Sequence, residues 1–362
     1  MTGAQLEKIF KYLKNQKWRI FGSAKISGEE EQTAEISPYL KAHQPIDLEP
    51  MPAGRLQIKE LESINELILS DELPIYPFKN LFIPECETLF EYKGNQLTES
   101  DRSHKIALFG INLLDLKAFN LYDLVFANDP YYQRRRKNSL VIGYATNLEK
   151  DVYGRNYEPD ILEHVHFDIF IEGPSMHSAK QGKLNSEKYK IFAGSIKGQR
   201  ILEHLGYKKY EYIEFNGPLV NKERMNELRN KLTNHHQQKI WDELGKRCIE
   251  CGKCTIACPT CFCFRIDDEA GLVENTGVRT RCWDSCYYRE FSEVSGPSTS
   301  SGQDNKPKFL TTTAQRIHFW YYHKFARIPD EFGIQGCVGC LRCHQVCPVD
   351  INIKEVLEDV KK

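Results

Sequence analysis

Along the first two-thirds of the chain, the spacing of apolar positions switches repeatedly between helical and strand periods. Leu6, Ile9, Phe10 and Leu13 fall on one helical face, which predicts a short amphipathic helix over residues 4–14. Residues 18–21 (WRIF) then read as a strand. Residues 28–52 are polar and rich in Glu, Pro and Ala, the pattern of a long solvated excursion over the surface. Residues 106–110 (IALFG) form a buried strand that runs into a loop over 111–115 and a helix through Leu124. A second apolar strand covers 139–144 (SLVIGY), residues 166–171 (HFDIFI) alternate, and 189–192 make a further short strand. Residues 194–205 are a turn and a helix that Gly206 ends. Strands alternating with helices predict an α/β layer domain over residues 1–216, with Asn216-Gly217-Pro218 as the break.

After that break strand periodicity disappears. Met225, Leu228, Leu232, Ile240, Trp241 and Leu244 recur at helical spacing, which predicts one long helix over 221–244 with His235 and His236 at exposed polar positions. A further helix over 314–325 carries Phe319, Trp320, Tyr321 and Tyr322, aromatics suited to ordinary core packing or to shielding a metal centre from water. Residues 295–307 (SGPSTSSGQDNKP) are of low complexity and predict a mobile loop. The fold class is therefore α+β: the N-terminal α/β layer domain, then a mostly α-helical domain over 217–362.

A length of 362 residues allows two separate cores. The formal net charge of −1 offers no global basic surface for nucleic acid or an anionic membrane. No apolar run is long enough for membrane insertion, and the N-terminus has a mixed-charge helical pattern in place of an apolar signal core, so a cytoplasmic protein is expected. The 13 cysteines change the picture most, because only Cys86 precedes residue 248. A secreted disulfide protein spreads its cysteines through the fold, whereas this clustering favours metal ligation in a reducing compartment.

Eight of those cysteines form two runs, Cys248-x₂-Cys251-x₂-Cys254-x₃-Cys258-Pro259 and Cys337-x₂-Cys340-x₂-Cys343-x₃-Cys347-Pro348. Each is the ferredoxin ligand run for a [4Fe–4S] cluster, in which three thiolates of a tight loop grip one cube and the fourth reaches the other. Two [4Fe–4S] clusters follow, one on Cys248, Cys251, Cys254 and Cys347, the other on Cys337, Cys340, Cys343 and Cys258. Zinc is the alternative for thiolates at this pair spacing, although zinc motifs normally separate two pairs by a longer loop. Lys246, Arg247, Lys253, Arg342 and His344 flank the runs, where cations raise a cluster's potential or dock a redox partner. Cys261, Cys263, Cys282 and Cys286 have the count for a third metal site, or pack as small buried residues. No nucleotide-binding glycine loop or nucleophile–base pair stands out. The basic run 134–137 (RRRK) suits a phosphate-bearing cofactor, an acidic partner or a solvated loop.

The segments CIECGKCTIACPTCFCF (248–264), RTRCWDSC (279–286), YYHKF (321–325) and CVGCLRCHQVCPVDI (337–351) together resemble a known family. It comprises the iron–sulfur β-subunits of sulfhydrogenase-type soluble [NiFe] hydrogenases and the A subunit of anaerobic sulfite reductase. PFKNLFIPECETLFEY (77–92), GINLLDLKAF (110–119) and DPYYQRRR (129–136) fall in the order that family shows, so the resemblance covers most of 75–355. Where the family commonly has Pro-Cys before an Asp, this chain has Leu113-Leu114 before Asp115, and it lacks a later Cys-containing loop. The resemblance implies a non-catalytic electron-transfer subunit between a flavin/NAD(P)-binding reductase subunit and a hydrogenase or sulfite reductase core; low-potential clusters in a reducing compartment add the expectation of an anaerobic host. A self-contained flavin/iron–sulfur oxidoreductase and a structural adaptor with silent clusters are the other classes that fit the residues.

Overall fold

The computed structural model describes residues 3–25, 56–99, 104–174, 189–234, 239–292 and 309–362. The polar stretch over 28–52 lies outside the described residues, as do His235, His236 and the low-complexity segment 295–307.

The first helix, α1 (Gly3–Asn15), buries the four apolar residues that predicted it. It covers one face of a seven-stranded sheet built from β1 (Arg19–Lys25), β2 (Leu56–Glu60), β5 (Ile106–Asn112), β6 (Ser139–Ala145), β7 (Ile169–Glu172), β8 (Lys190–Ala193) and β9 (Glu211–Tyr212). The order is β2-β1-β5-β6-β7-β8-β9, and the inner strands β1, β5, β6 and β7 run parallel. A parallel sheet is covered on both faces, so its strands read as continuous apolar runs. Every residue of β6 is buried, as this predicts. α1 and α4 (Ile196–His204) close one face, while α2 (Leu113–Val125) closes the other with Leu116, Phe119 and Tyr122. The strand of IALFG runs two residues further than its apolar pattern. Asn112 caps α2 by accepting from the Asp115 N–H at 3.0 Å, so the expected loop over 111–115 is absent.

A second, antiparallel sheet of four strands joins parts of the chain far apart in sequence. β3 (Cys86–Lys93) and β4 (Gln96–Glu99) leave the first half of the chain to pair with β11 (Thr276–Trp283) and, beyond it, β10 (Phe264–Ala270). The basic run RRRK is a helix, α3 (Pro130–Lys137), capped by Asp129. Its three arginines are paired within the chain: Arg134 with Glu99 at 2.9 Å, Arg135 with Glu87, and Arg136 with Asp123 at 3.1 Å.

The helical region packs α5 (Lys222–Asn234), α6 (Lys239–Arg247), α8 (Thr313–Tyr322) and α11 (Ile353–Lys361) around Leu228, Trp241, Trp320, Tyr321 and Val360. α5 and α6 occupy the span for which one long helix was expected. α8 starts at a reciprocal cap: the Gln315 N–H donates to Thr312 Oγ1 at 3.2 Å, and the Thr312 N–H to Gln315 Oε1 at 3.1 Å. It continues into a π-helical turn over His323–Arg327 and then α9 (Ile328–Phe332). Among the described residues, no helix is long and apolar enough to cross a membrane.

Candidate metal centre

Each cysteine run folds as a loop that enters one short helical turn, α7 (Lys253–Ile256) after the first and α10 (Arg342–Gln345) after the second. The two loops share their backbone bends. Glu250 and Gly252 have φ of 60° and 68°, and Gly339 and Leu341, at the matching positions, have φ of 72° and 57°. Left-handed residues alternating with right-handed ones turn successive N–H groups to one side and make an anion-binding concavity, common around iron–sulfur centres. The strain at Glu250 and Leu341, about 1–2 kcal/mol each for residues with a Cβ, is the local cost of that shape. The N–H groups of Glu250 and Gly339 donate to the sulfurs of Cys248 and Cys337, both at 3.4 Å, and that of Ile351 donates to Cys347 at 3.3 Å.

The fourth cysteine of each run is placed against the other run. Cys347 lines one cavity with Cys248, Cys251 and Cys254, walled by Trp320 and Tyr321, and Cys343 of the second run borders it as well. Burial pushes the Cys248 thiol up to about 11, and the neighbouring Cys251 and Cys347 add to the rise. Cys258 faces the second run. Burial raises the thiols of Cys337, Cys340 (to about 12) and Cys343, and Cys258 is among the charges acting on all three. Thiols raised in this way keep their protons until a metal displaces them, so loading releases protons. Cys258 itself goes the other way: a hydrogen bond with Cys261 lowers it first, followed by Lys324 and Thr260.

Soft thiolate donors, N–H groups aimed at sulfur and apolar walls are the surroundings an iron–sulfur cluster takes. A cube-shaped cluster is gripped at its corners, so its ligands do not converge on a point. Among the described residues, no three Cys, His, Asp or Glu side chains are placed to hold a single metal ion.

The α/β part pins the second loop. Arg342, fully buried, forks onto Asp115 at 2.6 and 2.8 Å and donates to the Pro74 carbonyl at 2.6 Å. Arg155 donates to the Gly339 carbonyl at 2.9 Å, and Tyr153 to that of Cys340 at 2.5 Å. Leu113 and Leu114 are buried in the same first turn of α2 that carries Asp115. The first loop is held through Lys79, whose ammonium donates to the Thr255 carbonyl at 2.9 Å, and through Tyr122, whose hydroxyl donates to the Cys261 carbonyl at 2.9 Å.

The remaining five cysteines fall into a cross-strand pair and a group beside the first run, in which Cys261, Cys263 and Cys286 lie close together. Cys282 faces Cys86 across β11 and β3 and is joined to it as a disulfide. Cys263 and Cys286 share a hydrogen bond, and Cys261 bonds Cys258. The flanking cations are also used: Arg247 donates to the carbonyls of Val349 and Asp350, and His344 pairs with Asp350. Two further cations near the sulfurs, Lys79 and Lys324, are buried in helical segments among apolar residues, where sequence spacing alone gives no sign of a cation beside the cysteines.

Comparison with known proteins agrees with this chemistry. Residues 247–351 match the 4Fe-4S dicluster domain family. No solved structure matches the chain. Over 324 residues, covering 84% of this chain and 89% of the relative, the sequence is 30% identical to the protein named sulfhydrogenase 2 subunit beta from Pyrococcus furiosus. The chain belongs to the family of iron–sulfur β-subunits of sulfhydrogenases.

Proposed function

We propose that the chain relays single electrons between a flavin/NAD(P)-binding reductase subunit and a [NiFe] hydrogenase core, in a cytoplasmic complex. Two [4Fe–4S] clusters carry them, one on Cys248, Cys251, Cys254 and Cys347 and the other on Cys337, Cys340, Cys343 and Cys258. What supports this reading is that Cys347 lines a cavity with Cys248, Cys251 and Cys254, and that Cys258 lies close enough to act on Cys343, beside two loops of matching backbone. Each cluster, when bound, accepts and gives up one electron without a bond being made to substrate. The protein's own part is to position and to shield. Trp320 and Tyr321 wall the first centre, and Arg342, Arg155 and Tyr153 fix the second loop against the α/β part.

The division at residue 216 goes with this reading. The seven-stranded sheet ends at Tyr212 and both cysteine loops follow it, with β3 and β4 reaching across as a strap.

The test is the chain purified without oxygen. It should show broad iron–sulfur absorbance, about eight iron per chain and reversible reduction, with no turnover of hydrogen, sulfite or nicotinamide by itself. Cys258→Ala should disturb the paramagnetic signal of the cluster nested in the second run, and Cys347→Ala that of the first. Loss of only the same-run signal overturns the exchange. Stoichiometric flavin in the purified chain points to the self-contained oxidoreductase, and co-purification with sulfite reductase subunits replaces the hydrogenase.

A further inference from the structure

Lys324 lies on the π-helical turn, 2% exposed, with its ammonium directed at the cysteines. Its Nζ is 3.3 Å from Cys258 Sγ, 3.1 Å from Thr260 Oγ1 and 3.0 Å from the Gly336 carbonyl. Among the described residues no carboxylate pairs with it. A buried ammonium without a counter-anion is costly unless hydrogen bonds and nearby negative charge compensate it. The anions within reach are thiolates.

The other run has nothing comparable. Lys246 and Arg247 are exposed, and Lys253 is only half-buried. Glu250 is turned to Arg316, Arg289 and Thr313. Arg342, the buried cation of the second run, is neutralised by Asp115. Lys79, also buried, spends its ammonium on the carbonyls of Thr255 and Cys261 and on the Trp283 ring, 4.3 Å from its centroid. A charge in low dielectric acts far more strongly than one screened by water.

We propose that Lys324 is the counter-charge of the cluster that takes Cys258, and that it holds this cluster at a higher reduction potential than the one that takes Cys347. The inference rests on the ligand sets proposed above. A cluster held by thiolates is an anion that becomes more negative on accepting an electron from the donor subunit. A fixed ammonium in contact with a ligand sulfur therefore favours the reduced form. The electron rests on the Cys258 cluster, and the Cys347 cluster is the transient station.

The experiment is potentiometric titration of the full chain, purified without oxygen, with each cluster followed by its paramagnetic signal. Cys258→Ala and Cys347→Ala assign the signals. The wild type should show two separated midpoints, the higher belonging to the Cys258 cluster. In Lys324→Met that midpoint should fall by about 59 mV or more, a tenfold change in a one-electron equilibrium, while the other moves by less than half as much. Lys324→Arg should hold both near their wild-type values. Equal midpoints in the wild type, an unchanged Cys258-cluster midpoint in an iron-replete Lys324→Met chain, or an equal shift of both clusters overturns the proposal. Should Lys324→Met lose the second cluster, Lys324→Gln, which keeps a donor for Thr260 and Gly336, is titrated. If both neutral variants lose it, retention by Lys324→Arg supports the requirement for charge and loss there overturns it. Absence of any iron–sulfur signal from the wild type defeats the ligand reading, a result distinct from all of these.

Discussion

Arg342 and Asp115 join the second cysteine loop to the first turn of α2, and the pair is almost completely removed from water, with side chains 0% and 1% exposed. Two guanidinium–carboxylate bonds, of 2.6 and 2.8 Å, and a third bond to the Pro74 carbonyl satisfy most of the Arg342 donors. Asp115→Asn keeps the shape and removes the charge, leaving a cation buried next to two cysteines. Breaking a buried pair from one side costs roughly 3–5 kcal/mol. At about 2–4 °C per kcal/mol for domains of this size, the melting temperature should fall by roughly 6–20 °C. Anaerobic differential scanning calorimetry on the iron-loaded chain measures this, and broadening of the second cluster's paramagnetic signal reports the freed loop. The double change Asp115→Leu/Arg342→Met removes both charges together. It should recover most of the loss, short of about 1 kcal/mol for the unpaired Pro74 carbonyl. A fall of less than about 2 °C in Asp115→Asn, below the change expected for 1 kcal/mol, would refute the reasoning. So would a double variant as damaged as the worse single one.

His323 is half-buried between rings, stacked with Phe319 at 5.8 Å and edge-on to Phe262 at 5.7 Å, and this desolvation lowers its pKa to about 4. Between pH 6.5 and about 4 the unfolded chain therefore binds the proton and the folded chain does not. Stability falls as pH drops through that window, by up to about 3 kcal/mol. Denaturant titrations at several pH values should show His323→Phe losing less stability than the wild type on acidification, and parallel curves would defeat the assignment. Removal of iron by an anaerobic chelator should raise amide exchange in residues 248–258 and 337–347, because their strained left-handed residues lose what compensates them. Amides of β5 and β6 should stay protected, and equal deprotection there would mean that the clusters support the whole fold.

The elements and ligands legible in the sequence are those that local spacing determines. β5 and β6 are buried on both faces and read as apolar runs, and the x₂ spacing of the cysteines describes a loop whatever lies around it. What was missed depends on partners far along the chain. RRRK reads as loop charge because Glu87, Glu99 and Asp123, which take up its arginines, lie elsewhere in the sequence. The sheet that brings β3 and β4 to β10 and β11 bridges about half the chain. Only that sheet shows that the cross-strand neighbour of Cys282 is Cys86.

The shared backbone of the two loops was partly visible. A glycine marks the second bend of the first run and the first bend of the second, so only superposing the runs shows that both loops need both bends. Lys324 was hidden for a different reason. Regular helical periodicity treats a lysine between Tyr321, Tyr322 and Phe325 as an exposed interruption of a core helix. The π-helical turn rotates the positions after Tyr322 relative to that periodicity, and π turns of this kind recur at functional sites. Restoring a regular helix by deleting His323 would turn the ammonium away from Cys258. The turn therefore carries the charge asymmetry between the two centres, and that deletion should bring their midpoints together without removing either set of thiols.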